Sequence, residues 1–430
     1  MKKIFVISNT SFSIERFRSH YLSKIKDFNF TIYTPNEIPH FTKKYKNIEL
    51  KKFTSKNILD DFKNLYKIFE KENPEVIIVY SFKYQLIASV LKKIFNFQYD
   101  ILSIIAGLGS LHLSNIFNRI FFYSIVKIII AMSKFIICIN PDDLNYFKQI
   151  IKNENKIFLI PTEGVEKIKK TKKIFKNNKN FIFFARLIKE KGIIDYIKTA
   201  IIIKKKYPEA NFYIAGPSKQ SIIGQSKFDQ KTLEFIKKNK KNVIFLDYIK
   251  NYKKIFPKMG CLISPSYSEG AGTSVMEAML SGLFVIAYSN NGHKYVLKNT
   301  SNIICEENNI QNLVTNVEKY LQLKNREINR STNTSYKKII NNFSANRVGV
   351  LFNNILSREY GVTKKSIDVV WPYYKDKAFL NNSISFINNQ TLKPKNLIFV
   401  DDANNDPNLK KYIKSRLNRN IKFIYLRNKM

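Results

Sequence analysis

Short apolar runs rich in β-branched and aromatic residues recur along the first part of the chain: Ile4–Ile7, Val76–Val79, Ile101–Ile105, Phe135–Ile139 and Ile157–Ile160. Each is too short for a core helix, so each predicts a buried strand. Between the runs the period changes. Leu59, Phe62, Leu65, Tyr66 and Phe69 share one helical face, as do Ile193, Ile194, Ile197, Ala200 and Ile201 further on. Strands alternating with helices predict βα units and parallel sheet.

The pattern lapses at residues 166–180, EKIKKTKKIFKNNKN, where seven lysines and little apolar content read as a solvated linker. It then restarts with Phe181–Phe184, Phe212–Ile214, Val243–Leu246, Cys261–Ile263 and Phe284–Ile286, which predict a second parallel sheet. The expected architecture is α/β: two Rossmann-like doubly wound domains, 1–165 and 181–345, facing a cleft that holds the site. Residues 346–362 are expected to be a helix returning to the first domain. Another change near Gly361 opens a new, incomplete α/β segment over 365–430. The most apolar stretch, Ile116 to Ile139, carries Arg119, Lys127 and Lys134 and so falls short of a membrane span. It reads as a buried helix followed by a strand, the alternative being a segment lying against a bilayer.

Composition sharpens this only in part. At 430 residues, 44% hydrophobic and 25% charged, the chain suits a soluble protein of two or more domains. Seventy-three Lys and Arg against 33 Asp and Glu give a net charge of +40, which favours anionic partners. Lys, Asn, Ile, Phe and Tyr are all over-used together, so base composition alone accounts for part of that charge. An anionic membrane surface is a more natural partner than nucleic acid, because neither a recognition helix nor aromatic platforms interleave the lysines. Cys138, Cys261 and Cys305 are too few and too scattered for a disulfide frame or a zinc site, which fits a reducing cytoplasm. The N-terminal apolar run breaks at Ser8-Asn9 and reads as a first strand rather than a leader.

The candidate chemistry sits in the second domain. Glu269-Gly270-Ala271-Gly272-Thr273 follows a strand and opens a helix, so its free N–H groups and the positive helix end make an anion site. Glycines admit a phosphate close to the backbone, and the Ser and Thr are expected to cap the helix. Arg186 and Lys191 occupy another strand-to-helix loop, and Gly216 ends a further strand. A rim of this kind suits a diphosphate, Arg supplying a planar fork and Lys a mobile point charge. Asp60-Asp61 and Asp142-Asp143 read as helix starts, so no metal is expected. His20, His40, His112 and His293 read as structural or surface residues.

The ordered set R-x4-K-G, A-G-P and P-S-x-x-E-G-x6-E-A-M-x-x-G, within residues 186–282, resembles the retaining glycosyltransferase family 4, of the GT-B fold. The resemblance covers roughly residues 1–360. It implies that Glu277 takes the ribose hydroxyls of a nucleotide-sugar, and that Glu269 with Gly270, Ala271, Gly272 and Thr273 holds the donor sugar. Arg186 and Lys191 would neutralise the departing diphosphate, Gly216 would border the donor, and no cofactor would be needed. On the acceptor side, Gly107, Gly109 and Ser110 resemble the family's G-L-G-S segment. Ser8 and Asn9 stand where relatives have a Gly-rich loop, here without glycine, and Tyr295 stands where many relatives carry Glu.

The resemblance further implies a UDP-sugar donor and a lipid-linked or growing surface glycan as acceptor, met at the cytoplasmic face of the inner membrane, as in capsule or lipopolysaccharide synthesis. A nucleotide-sugar epimerase or glycogen-synthase-like enzyme is the rival within the fold, and a basic nucleic-acid-binding protein the rival outside it. Residues 365–430 resemble the truncated opening of a glycosyltransferase family 2 domain of the GT-A fold, with Pro372-Tyr373-Tyr374 and Asp401-Asp402 at its nucleotide-contacting positions.

Overall fold

The structure is a computed structural model and describes residues 2–35, 45–107, 116–151, 153–166, 179–216, 230–249, 251–361, 367–374, 379–390, 393–402, 406–418 and 421–427. The chain divides into two compact units, Met1–Glu359 and Tyr360–Met430.

The first lobe of the larger unit begins with β1 (Lys2–Ile7), α1 (Ser11–Ser13), a π-helical turn over Ile14–Arg18 and α2 (Ser19–Leu22). It continues through β2 (Phe28–Pro35), β3 (Ile48–Phe53), α3 (Ile58–Glu72), β4 (Val76–Val79), α4 (Phe82–Ile94) and β5 (Asp100–Ile105). It closes with α5 (Ile116–Met132), β6 (Ser133–Cys138), α6 (Pro141–Ile150) and β7 (Ile157–Leu159). The seven strands are parallel in the order β3-β2-β1-β4-β5-β6-β7. Helices cover both faces of such a sheet, which is why β4 is an unbroken VIIV buried at every position. The chain reverses its direction of travel between β1 and β4, so the loops after these strands part and leave a crevice.

The second lobe repeats the plan. It comprises β8 (Asn180–Phe184), α7 (Ile193–Lys206), β9 (Asn211–Ala215), α8 (Gln230–Lys238), β10 (Ile244–Asp247) and β11 (Cys261–Ser264). Then come α9 (Thr273–Leu280), β12 (Phe284–Tyr288), α10 (Asn291–Leu297), β13 (Ile303–Cys305) and α11 (Ile310–Gln322). Its parallel order, β10-β9-β8-β11-β12-β13, places the reversal between β8 and β11. The expected α/β fold with two doubly wound sheets is therefore present.

The chain passes between lobes twice, and the two passages are pinned together. The Val165 N–H donates to the Phe343 carbonyl at 3.0 Å, and the Ala345 N–H to the Val165 carbonyl at 2.9 Å. Helix α12 (Asn325–Phe343) stays with the second lobe, packing on α9, whereas α13 (Ala345–Tyr360) lies on the first. Phe352 there stacks 5.7 Å from Tyr21, and Asn353 donates to Asp27.

Several features differ from the sequence reading. Strands β2, β3 and β13 lie outside the runs picked out by apolar continuity, because β3 is a half-exposed edge strand with alternating charges and β13 has only three residues. Helix α5 is not a buried helix. Ile120 is 62% exposed, Phe121 69% and Ile128 42%, while Val126 and Ile129 face the core. Among the described residues no helix is long and apolar enough to cross a membrane.

The smaller unit has its own core. Strands β14 (Asp368–Tyr373), β15 (Asn396–Asp401) and β16 (Lys422–Arg427) form a parallel sheet in that order, with α14 (Leu380–Asn389) and α15 (Leu409–Arg416). Leu397 and Phe399 are fully buried in it, and Trp371 packs edge-on against Phe399 at 5.1 Å. Asp401 is buried under the Tyr425 hydroxyl.

Candidate active site

The loops after β8 and β11 flank the reversal point of the second sheet, and the structure brings their functional residues together. Gly192 makes this possible. Its φ of +72° lies in the left-handed region, and a Cβ there would fall 1.9 Å from the Pro265 carbonyl oxygen. A glycine at this position lets the start of α7 press against the β11 loop, which delivers Lys191 to Glu269. The Lys191 Nζ donates to Glu269 Oε1 at 2.7 Å, and both side chains are 16% exposed. Burial works against the charged form of Glu269, yet Lys191, helped by His293, outweighs it and holds the carboxyl below its ordinary range.

Gly216 serves the same packing on the other side of β8. Its N–H donates to the Asp247 carbonyl, and a Cβ would meet the Ala185 carbonyl oxygen at 2.0 Å. The structure leaves Arg186 exposed on the β8 loop, whereas Lys191 is turned in to Glu269. Helix α9 opens at Gly272, itself at φ +57°, with no side-chain cap. The Ser and Thr expected to cap it do not, and its first-turn N–H groups form an uncapped positive end beside Glu269. Thr273 and Ser274 are half-buried in that first turn, and Ala271 is buried before it.

Beneath the loop lies His293, fully buried. Its Nδ1–H donates to the Tyr288 carbonyl at 2.9 Å, and Nε2 then accepts from Ser264 Oγ at 3.3 Å. Burial lowers its pKa despite nearby Glu269, so the ring is neutral and props the α9 start, where Gly272 packs against it. His20 is also largely buried, its Nδ1 3.1 Å from a Glu166 carboxylate oxygen, while His40 and His112 lie outside the described residues.

Glu277 is 3% exposed on α9, and its partner comes from the other lobe: Arg16 Nη2 donates to Glu277 Oε2 at 2.6 Å. Burial drives the Glu277 carboxyl upward and Arg16 only partly opposes it. The Arg16 guanidinium also lies 5.2 Å from the Tyr252 ring centroid. Arg16 stands on the π-helical turn after β1, at the reversal point of the first sheet. Sequence reading passed over it. The available signal was positional, since residues following β1 in a doubly wound sheet border the crevice.

Of the first-lobe candidates, Gly107 touches the site directly. It has φ +109°, and a Cβ there would lie 3.2 Å from the Gly270 Cα. Asn140, the N-cap of α6, donates to the Gly270 carbonyl at 3.1 Å. Ser8, expected to line the cleft, is fully buried instead. Its hydroxyl is engaged by Arg18 and Ser13, because the buried Arg18 guanidinium needs every acceptor it can reach, including Glu163 at 2.9 Å. Asn9 is exposed beside it. Gly109 and Ser110 lie outside the described residues. Among the described residues no cluster of His, Cys, Asp and Glu could hold a metal ion.

Residues 164–338 match the family model described as glycosyl transferases group 1. A Campylobacter jejuni N,N'-diacetylbacillosaminyl-diphospho-undecaprenol alpha-1,3-N-acetylgalactosaminyltransferase is 23% identical over 311 residues, 66% of this chain and 80% of the relative. An uncharacterized glycosyltransferase of Haemophilus influenzae is 26% identical over 200 residues, 44% of this chain, and the match spans about half, 53%, of that relative. Among solved structures, Anabaena HepE in complex with UDP and glucose superposes at TM-score 0.67 with 14% identity, covering 83% of this chain and 100% of that one. Sucrose-phosphate synthase from Thermosynechococcus elongatus superposes at 0.70 with 12% identity, covering 84% and 100%. Residues 164–338 are therefore similar to the glycosyl transferases group 1 family, and the larger unit has the two-lobed GT-B fold of these neighbours.

Proposed function

We propose that the chain is a retaining transferase that moves a sugar from a UDP-sugar to a lipid-linked or growing surface glycan. The observation that carries the reading is the pairing of Lys191 with Glu269 beside the uncapped start of α9. Breaking a sugar–phosphate bond puts negative charge on the leaving diphosphate and positive character on the sugar. A cation and helix N–H groups preorganised at one point, with a carboxylate held ionised next to them, stabilise both. In this reading Glu269 and the backbone of Gly270 to Thr273 hold the sugar, Lys191 and the exposed Arg186 meet the diphosphate, Gly216 borders it, and Glu277 takes the ribose. Gly107, Asn9 and, by resemblance, Gly109 and Ser110 border the acceptor. The UDP in the HepE complex and the undecaprenol-linked substrate of the Campylobacter relative support the two substrate classes. Residues 365–430 are read as a family 2-like opening that takes no part in this chemistry.

The test is product stereochemistry. Incubated with UDP-sugars and an undecaprenyl-diphosphate-linked acceptor, the enzyme gives a product whose NMR spectrum shows the donor's anomeric configuration kept. Inversion contradicts the retaining assignment, and a free isomerised sugar from donor alone turns the reading to an epimerase.

The outer face of α5 supports a membrane-surface location. Ile120, Phe121 and Ile128 are exposed on it, with Lys127 4.5 Å from the Tyr123 ring centroid. An apolar stripe flanked by cations on a strongly basic chain suits an anionic bilayer surface. Phe121→Ser with Ile120→Ser is expected to abolish co-sedimentation with phosphatidylglycerol vesicles while leaving UDP binding intact. Unchanged sedimentation places the membrane contact elsewhere or removes it.

A further inference from the structure

The loop that carries Glu269 leaves β11 as Pro265-Ser266-Tyr267-Ser268, and its backbone is held from both sides. From the β8 loop, the Glu190 carbonyl accepts the Tyr267 N–H at 3.0 Å and the Ser266 hydroxyl at 3.4 Å. From beyond β12, Asn290 Nδ2 donates to the Ser266 carbonyl at 2.7 Å, and the Gly292 N–H to the Glu269 carbonyl at 3.2 Å. One side chain adds a tether of another kind. The Tyr267 hydroxyl donates to Asp195 Oδ2 at 3.1 Å, and the Tyr288 hydroxyl donates to the same oxygen at 2.9 Å. Asp195 is 6% exposed in the first turn of α7, and Tyr288 is fully buried at the end of β12. The two rings lie nearly parallel, at 11°, with centroids 6.1 Å apart. A single carboxylate oxygen thus joins α7, the β11 loop and β12, the elements that surround the Lys191–Glu269 pair. Burial and the neighbouring Asp195 push the Tyr267 hydroxyl up to about 12 and raise that of Tyr288 as well, so both stay donors at neutral pH.

We infer that Asp195 is a positioning residue of the transfer site: acting through the Tyr267 hydroxyl, it sets the loop that presents Glu269 to Lys191 and to the donor sugar. This rests on the reading of Glu269 as the residue that holds that sugar. Hydrogen bonds to a buried carboxylate are charge-assisted and directional, and a fully satisfied buried network holds its members in one arrangement. The arrangement matters here because Lys191 Nζ reaches two points of the same loop, the Ser268 carbonyl at 3.4 Å and Glu269 Oε1 at 2.7 Å. Where residues 267–269 stand therefore decides how closely the lysine meets the carboxylate. With the Tyr267 tether cut, Glu269 drifts from Lys191, its carboxyl rises toward the value burial alone would give, and its oxygens leave the place where the sugar is held. A displacement of that kind costs turnover more than binding. Tyr288 differs in one respect. It bonds the same oxygen but stands on β12, so its loss leaves the Tyr267–Asp195 bond, and with it the loop, in place.

The experiment measures UDP release from a panel of UDP-sugars, UDP-glucose included, with an undecaprenyl-diphosphate-linked acceptor, as a function of pH. The full-length wild type is compared with Tyr267→Phe, Asp195→Ala, their double variant, Tyr288→Phe and Glu269→Gln, and the Tm of each is recorded. Tyr267→Phe is expected to lower kcat about tenfold with KM for the donor nearly unchanged, and to move the acid limb of the profile toward neutrality. Asp195→Ala should reproduce that profile, and the double variant should lose no more than either single one, since all three cut the same tether. Tyr288→Phe should lower Tm about as much as Tyr267→Phe while its acid limb stays where wild type has it. If Tyr267→Phe loses only Tm and keeps the wild-type profile while Glu269→Gln loses turnover, the positioning role is wrong and the reading of Glu269 stands. If Glu269→Gln turns over as wild type does, or wild type releases UDP from no donor, the reading of Glu269 falls and takes this inference with it.

Discussion

Lys191→Ala is expected to lower kcat by about 10²-fold or more while leaving the KM for the sugar donor nearly unchanged, because its charge matters most as the leaving group forms. Two losses combine. The diphosphate loses a cation, and Glu269 loses the partner 2.7 Å away that keeps it ionised. Burial alone raises the Glu269 carboxyl, and Lys191 is the leading opposing influence. Without it the carboxyl titrates at higher pH, so the acid limb of the kcat/KM profile moves toward neutrality. Stability shifts in the same direction. In wild type the folded pKa of Glu269 is depressed, so this group's contribution is present above its unfolded pKa and is lost as pH falls through the folded value. The variant forfeits that contribution and should be the less stable at neutral pH. Normal turnover with only a raised KM would remove Lys191 from the chemistry.

Glu277 carries the opposite sign. Its folded pKa is raised, so its burial costs stability above the unfolded value, and Arg16 offsets only part. A carboxylate kept at a loss inside the cleft is a mark of use rather than of folding.

The sequence made the second lobe the more legible of the two. Strand-to-helix loops with Arg186, Lys191-Gly192 and Glu269 to Thr273 are local patterns, and a parallel sheet necessarily gathers such loops on one edge. Contacts between lobes could not be read in that way. Arg16, Asn140 and Gly107 meet α9 and Gly270 from positions 130 to 261 residues away in sequence, as the Asn140–Gly270 and Arg16–Glu277 pairs show. No local period encodes a meeting of that kind. Ser8 shows the converse: its place after β1 suggested a cleft ligand, but the buried charge of Arg18 claims its hydroxyl. Helix α5 was misjudged because an apolar pattern reports only that a face avoids water, not whether protein or lipid covers it.

Gly270→Ala should separate binding from turnover. A Cβ at Gly270 would sit 2.4 Å from the Ala106 carbonyl oxygen, 3.1 Å from its carbon and 3.4 Å from Ile139 Cδ1. All three belong to the first lobe, and Gly270 is absent from the positive-φ glycines, so its own backbone accepts alanine. The second lobe has no reason to unfold. Ala106 follows directly on β5, a central strand locked between β4 and β6, and its carbonyl cannot step aside. The lobes must therefore part, and the Asn140–Gly270 hydrogen bond and Arg16–Glu277 pair, which depend on the same approach, go with them. A displacement of about 1 Å between donor and acceptor is enough to cost on the order of 10²-fold in transfer. UDP, which the proposed function assigns to the second lobe, should bind about as tightly as to wild type. Calorimetry and a transfer assay on the same preparation decide the matter. Intact UDP binding with turnover lost assigns the glycine contact to closure of the lobes, whereas full activity would show that the close approach of Gly270 to Ala106 and Gly107 is not the catalytic arrangement.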